Sequence, residues 1–318
     1  MSRLFSWFKI TLITFICLAS ITNTSSAQNN WRKDIGIFRI GIITSSRSVE
    51  ALDRLEPFKI AISEALDMQV EFFRAQNATS LINALGDERI EYAIFSASSY
   101  ALAWTSCQCI EPIVTPRSKD STDGFHTVVI AAPDGPKSLE NLSSKIGILS
   151  KESITGSALV THELNKKNIL IGNETPLFIF KDSAETTLQA FAQGEIKTLI
   201  GWSSLTGNPS DGYSRGSLRQ LVEKHGANAR DYKVLWKSDQ IPHRPHVMRK
   251  KLSEEAKSIL RNTLLEMFQK KPVAYDAIEP IYGGGFTRSH HQRFEQLISL
   301  MEAQNVQTKT AEESPPLQ

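Results

Sequence analysis

The chain has 318 residues, with 36 Lys plus Arg against 34 Asp plus Glu and a formal net charge of +2. So even a balance excludes a partner that demands a strongly basic surface, and nucleic acid is not expected. A small anion is compatible with it, because an anion site needs only a local positive field.

The first 27 residues read as an export signal that precedes the fold. Arg3 and Lys9 form a positive head, Ile10 to Ala19 an apolar centre too short to span a bilayer, and Ser25-Ser26-Ala27 a small-residue cleavage site before Gln28. No lipid-attachment pattern surrounds Cys17, so export and cleavage are expected rather than anchoring. Loss of Arg3 and Lys9 leaves a mature chain with equal numbers of both charges. Its length, about 290 residues, suits one large domain or two modest lobes.

From there apolar runs and helical periodicities alternate. Ile37 to Thr44 reads as a buried strand. Val49 to Leu66 reads as helix in two pieces broken at Pro57, Val70 to Arg74 as a strand, and Asn77 to Leu85 as a short capped helix. Tyr92 to Ser96 is a strand leading into a helix near Ser98, and Thr127 to Ala131 is a strand before the Pro-Asp-Gly turn at Pro133. A second series follows: helix Leu139–Leu142, strand Ile146–Leu149, helix Gly156–Asn165, strand Leu177–Lys181, helix Thr186–Gln193 and strand Ile196–Gly201. A polar loop at Asn208–Gly216 precedes helix Leu218–Gly226 and strand Tyr232–Trp236. Two amphipathic helices, Ser253–Phe268 and Ser289–Ala303, close the pattern, and residues 304–318 read as a polar, disordered tail.

Such alternation predicts α/β architecture with mainly parallel sheets, and two series of similar size predict two lobes with a ligand cleft between them. Three strand-to-helix turns are rich in hydroxyls: Thr44–Ser48, Ser96–Tyr100 and Ser150–Ser157. A helix start leaves backbone N–H groups unpartnered and carries partial positive charge, so a hydroxyl-lined start with a glycine that admits a ligand can cradle an anion. For Ser153 the alternatives are that cradle or simple capping of its own helix.

The remaining chemistry-bearing residues say less. Cys107 and Cys109 form either a small-ring disulfide in an oxidising compartment or an ordinary thiol pair, and no His lies close enough in sequence to favour a metal. His243, Arg244 and His246 in IPHRPH, and the adjacent His290 and His291, read as surface or interface residues. Tyr282 to Phe286 (YGGGF) reads as a flexible connector, since it lacks the signature of a phosphate loop. Trp202 either stacks on a planar or apolar ligand group or sits in the core. No nucleophile elbow and no H-E-x-x-H motif is present.

Taken in order, several short motifs resemble the substrate-binding proteins of ABC importers for phosphonate, phosphite and phosphate. They are Arg39-Ile40-Gly41, Leu55-Glu56-Pro57-Phe58, the strand and turn Tyr92 to Tyr100, Asp123-Gly124-Phe125, Lys137 to Leu142, Ser153-Ile154-Thr155-Gly156-Ser157, and Val234 to Ser238 with Ile241-Pro242 and Pro245. The likeness runs from about Arg39 to Leu300. It implies a two-lobed type II periplasmic binding protein, with lobe 1 at 36–126 plus 241–303 and lobe 2 at 127–240. It implies a periplasmic location, capture of a small oxyanion or anionic organic solute, no cofactor, no metal and no enzyme activity. The implied partner is an ABC permease at the inner membrane; the alternative is a sensor kinase or receptor that reads the ligand-bound state. In this family the S-T-S-G turn grips the phosphonate oxygens and the P-x-S-Y tyrosine reaches from the other lobe. The implied ligand contacts are therefore Ser153, Thr155 and Gly156 on one side, and Tyr100 and Ser99 on the other, with Tyr100 and Thr155 sharing one cavity. Thr44 and Ser46 join them by their place in the first hydroxyl-rich turn, and Trp202 as the stacking candidate. Ile154 replaces the middle hydroxyl of S-T-S-G, Ala184-Glu185 fall where many members carry a His, and Trp202-Ser203 fall where some carry an acid. These departures weigh against an aminoalkylphosphonate ligand, because a donor lost from an anion pocket costs about 1–3 kcal/mol.

Overall fold

The computed structural model describes residues 31–43, 52–142, 145–151, 153–168 and 177–313. The export signal and the turn holding Thr44 and Ser46 lie outside these residues. The chain divides into two units, 1–36 and 37–318. In the first, α1 (Trp31–Ile35) is closed by Gly36 N–H on Arg32 O at 2.8 Å.

The second unit opens with β1 (Ile37–Ile43), α2 (Glu56–Leu66), β2 (Gln69–Ala75), α3 (Ala78–Gly86), β3 (Tyr92–Ile94), α4 (Ala97–Cys107) and β4 (Ile110–Ser118). It crosses into β5 (Gly124–Ala131), β6 (Lys145–Ile148), α5 (Leu159–Lys166), β7 (Leu177–Ile179), α6 (Ala184–Ala192), β8 (Thr198–Ser203), α7 (Ser217–His225), β9 (Lys233–Lys237) and β10 (Ile241–Pro242). It then returns through β11 (His246–Arg249), α8 (Glu254–Lys270), α9 (Pro272–Ile278), β12 (Gly283–Arg288) and α10 (Glu295–Glu313).

Two six-stranded sheets result. The first has the order β12-β4-β11-β3-β1-β2, and the second β10-β5-β8-β6-β7 with β9 also on β5. Both are mixed, which corrects the expectation of mainly parallel sheets. Pairs β1/β2, β1/β3, β6/β7 and β6/β8 are parallel, while β3/β11, β4/β11, β4/β12, β5/β8, β5/β9 and β5/β10 are antiparallel. Strands β4, β10, β11 and β12 escaped the sequence reading for a common reason. Pro112, Pro116, Pro242 and Pro245 and the triple glycine of β12 interrupt the β-branched alternation that marks a strand. The Tyr282–Phe286 stretch is thus largely strand, not a loose connector.

Period-two alternation in β5 and β8 builds two cores on opposite faces of the second sheet. Val128, Ile130 and Leu199 pack with Leu188, Phe191 and Leu221, while Val129 and Ile200 pack with Ile146, Val160, Leu164 and Trp236. In the first half, Leu81, Leu85, Tyr100, Phe294 and Leu297 form one cluster under α3, α4 and α10. Gly41 lets α3 approach β1, since a Cβ there would lie 2.3 Å from Leu81 Cδ1. Residues 52–53 are helical, 54–55 form a turn and helix resumes at Glu56, so the two pieces expected about Pro57 are present, with Pro57 in the first turn of α2, where its fixed φ suits. The last helix runs on to Glu313, beyond the predicted end at Ala303. Cys107 and Cys109 are joined as a disulfide.

Glu91 ties three strands at the foot of the first sheet. It is almost fully buried, accepts Arg39 N–H at 2.7 Å and Arg249 at 3.1 Å, and its carboxyl is held above the usual carboxylate range by burial, against those donors. Glu91→Ala should lower unfolding free energy by about 1–2 kcal/mol in a urea titration, because the Arg39 N–H loses its acceptor and Arg249 keeps only Glu88. A change under about 0.5 kcal/mol would show that the carboxylate does not brace the sheet.

Candidate functional site

A cavity of about 430 Å³ opens where the two halves meet. From the second half it is lined by β5 (Phe125, Thr127), the end of β6 and its turn (Ile148 to Ser150, Ser153, Thr155, Gly156), β8 (Ile200 to Trp202) and Arg215. From the segments bordering the first sheet come His243, Ile281 and Tyr282.

The turn after β6 does not begin as a capped α-helix. Ser153 has extended backbone angles and its side chain makes no cap hydrogen bond. Residues Ile154–Ala158 form a wide π-type turn interrupted at Gly156, where φ is −92° and ψ is −114°, before α5 starts. Of the two readings of Ser153, capping is the one this geometry removes. Its hydroxyl lies 3.3 Å from Thr155 Oγ1, and both line the cavity. The turn is held from two sides. Thr127 Oγ1 donates to Thr155 O within the second half, and Leu159 is buried in the hydrophobic cluster of the first half, with Ile154 and Ala158 against it.

Among the described residues lining the cavity, Arg215 is the one cationic side chain. It is oriented by the segment that leads into the first crossing. Arg215 Nε donates to Asp120 Oδ2 at 3.1 Å and NH2 to Thr122 Oγ1 at 2.7 Å, while Ser214 Oγ donates to Asp120 Oδ2 at 2.6 Å. Burial alone would raise the Asp120 carboxyl, but donors from Ser214, Thr122 and Arg215 outweigh it and hold the group far below the usual carboxylate range. The guanidinium carbon sits 5.9 Å from the Trp202 ring centre, and Trp202 meets Phe125 edge-on at 6.2 Å. Gly216 makes this approach feasible. Its φ is +127°, and a Cβ there would lie 2.4 Å from Trp202 O.

His243 is 6% exposed, which corrects its assignment to the surface. Its Nδ1 donates to Pro116 O at 3.0 Å, its N–H to Asp123 O at 2.9 Å, and its carbonyl accepts from Thr115 Oγ1 at 2.7 Å. Burial lowers its pKa, so at neutral pH Nε2 is left as an acceptor. Beside it runs a buried polar chain. Tyr92 OH donates to His246 Nδ1, His246 Nε2 donates to Glu279 Oε1 at 2.8 Å, and Glu279 Oε2 pairs with Arg244 at 3.6 Å. His246 and Glu279 are fully buried, so His246 also leaves the predicted surface. The chain pins two segments that reach the cavity, the one carrying His243 and the one running from Glu279 to Ile281 and Tyr282. Among the described residues, no three His, Cys, Asp or Glu side chains are grouped to hold a metal ion.

Ser153, Thr155, Gly156 and Trp202 therefore share one cavity, but Tyr100 and Ser99 do not belong to it. Tyr100 is fully buried under α4, bonded to His291 Nδ1 at 2.9 Å and packed on Phe294 at 4.3 Å. It sits one turn inside the helix on the face formed with Ala97, Ala101 and Ala103, which turns it into the core. Its hydroxyl is pushed well above the usual phenol range by burial. Ser99 borders a second cavity, of about 580 Å³, with Ser96, Phe95 and Arg244. Tyr100 and Thr155 thus lack the shared cavity expected of them; His243, Ile281 and Tyr282 line it from the segments bordering the first sheet. Sequence reasoning missed Arg215, His243, Tyr282 and Phe125. Arg215 lay in a loop read only as polar, and no local pattern distinguishes it from a solvated arginine.

Two mixed α/β sheets joined by paired crossings, with a ligand-sized cavity where they meet, define a type II periplasmic binding protein. A family model described as ABC transporter, phosphonate, periplasmic substrate-binding protein matches residues 40–294. The chain belongs to this family of periplasmic substrate-binding proteins of ABC phosphonate transporters, a binding rather than catalytic family. Among solved structures it is similar to a binding protein component of an ABC phosphonate transporter from Pseudomonas aeruginosa. The two are 20% identical, with 85% of this chain and 86% of that one covered and a TM-score of 0.47. A Xanthomonas citri protein bound to ATP is 16% identical, with 85% and 98% covered and a TM-score of 0.59. A TctC solute binding protein from Polaromonas is 12% identical, with 84% and 98% covered and a TM-score of 0.52. At these identities the likeness to the last two is one of fold. Among the described residues, no helix is long and apolar enough to cross a membrane.

Two outcomes follow. Burial lowers the pKa of both His243 and His246, so the unfolded chain binds more protons than the folded one once pH drops toward the ordinary imidazole value of about 6.5. Their contribution is complete above that value and is lost as pH falls below it. Tm followed from pH 8 to 5.5 should fall below about pH 6.5, and His246→Gln should make the fall shallower; an identical slope would rule His246 out. Gly216→Ala should lower both Tm and ligand affinity, since the new methyl group displaces the Trp202 backbone; unchanged affinity would show that Arg215 and Trp202 do not depend on this approach.

Proposed function

We propose that this chain captures a phosphonate-like oxyanion in the cavity between its halves and carries it to an ABC permease at the inner membrane, after export through a cleaved N-terminal signal. The observation that carries the reading is the joint lining of one cavity by the Ser153–Gly156 turn and Arg215. Hydroxyls and turn amides would meet the anion's oxygens, and Arg215, turned inward by Asp120 and Thr122, would add a guanidinium hydrogen-bond donor. Closure would turn on the two crossings, Phe125 to Val128 and Ser238 to Pro245, with lobes at 36–126 plus 241–303 and at 127–240. The crossings are themselves tied: Ser238 Oγ accepts Thr127 N–H at 3.0 Å, and Arg293 clasps both Asp123 and Gln240 at 2.9 Å. A hinge of short strands whose partners stay paired would permit rotation of one half on the other, with Leu159 leaving the cluster of the first half as the cavity opens.

The test is a thermal-shift series with phosphate, phosphite and methylphosphonate on the purified chain lacking residues 1–27. A ligand at 100 times its Kd should stabilise the fold by about 2.7 kcal/mol. Thr155→Val should weaken the best hit about five- to tenfold through loss of one hydrogen bond. No shift with any oxyanion at millimolar concentration would remove the proposal, and unchanged affinity in Thr155→Val would remove Thr155 from the site.

A further inference from the structure

We infer that the ligand is a phosphonate-like anion bearing a flat or bulky apolar substituent, best an aryl group; this rests on the reading of the cavity as an oxyanion site. Three observations carry it. The cavity, at about 430 Å³, falls in the range that accepts drug-sized molecules, well beyond what a bare oxyanion fills. Its walls are mostly carbon: Phe125, Ile148, Leu149, Ile200, Trp202 and Ile281 line it alongside the polar turn. And the one cation among its described lining residues is already balanced, because Asp120 accepts from Arg215 at 3.1 Å.

The third point decides which force binds the ligand. A site that relied on Coulomb attraction would hold an excess of positive charge to replace the water an anion gives up. Here the excess is absent among the described lining residues, so hydroxyls and amides fix orientation while apolar contact supplies most of the affinity. The Trp202 indole, edge-on to Phe125 and close to the Arg215 guanidinium, forms an aromatic wall that a second ring can extend. Ile281, three-quarters exposed at the rim, is the kind of side chain that a bound apolar group would cover.

Titration calorimetry of the chain lacking residues 1–27 with methylphosphonate and phenylphosphonate tests this. Phenylphosphonate should bind at least about tenfold tighter. Trp202→Ala should shrink that ratio to about threefold or less, and Trp202→Phe should restore most of it. Should Trp202→Ala fail to fold, the wild-type ratio still decides. Methylphosphonate binding as tightly as phenylphosphonate, or tighter, would overturn this inference and leave the oxyanion reading intact. Failure of both, and of phosphate, to bind at millimolar concentration would overturn both.

Discussion

The pairing of Asp120 with Arg215 sets the terms for the whole cavity. A guanidinium at the edge of an apolar cleft, left to itself, would swing out to water. Asp120 prevents this from a segment next to the first crossing, helped by Thr122 and Ser214. The arrangement links crossing to cavity, since a movement of the 120–123 segment moves the cation. It also pairs the guanidinium with a carboxylate within the protein itself.

The other side of the cavity depends on a second kind of constraint. The Ser153–Gly156 turn belongs to the second half by its hydrogen bond from Thr127, yet Leu159 anchors it in the hydrophobic cluster of the first. Facing it, the buried chain of Tyr92, His246 and Glu279, with the exposed Arg244 at its end, fixes the two segments that bring His243, Ile281 and Tyr282 to the cleft. Glu279 Oε2 is buried without a hydrogen bond, so its charge is met by Arg244 alone, at 3.6 Å. The cavity is thus bounded by elements that are each held by buried contacts.

Much of the architecture was legible in the chain order of residues. Strands β1, β2, β3, β5, β6, β8 and β9 announce themselves by β-branched or alternating runs, and α3, α6 and α7 by caps and terminal glycines. Strands built around proline or glycine stayed hidden, and with them the mixed character of both sheets. Their backbone is held in place by neighbours contributed from far along the chain, as β11 is by β3 and β4. Of the residues that line the cavity, Ser153, Thr155 and Gly156 were readable because a hydroxyl-rich turn after a strand is a local signal, whereas Trp202, within β8, stood out only as a departure from the family pattern. Tyr100 misled for the converse reason: the turn is where the motif places it, but the side chain follows the buried face of α4.

Local patterns are enough to identify most of the elements, the hydroxyl-rich turn after β6 and the family, because each depends on residues a few positions apart. Which side chains face each other across the cleft is different. The 95-residue separation of Asp120 and Arg215, and the 33-residue separation of His246 and Glu279, are closed by packing of whole elements. Such contacts carry no periodicity and no preferred spacing, so they emerge when the two halves are assembled around their crossings.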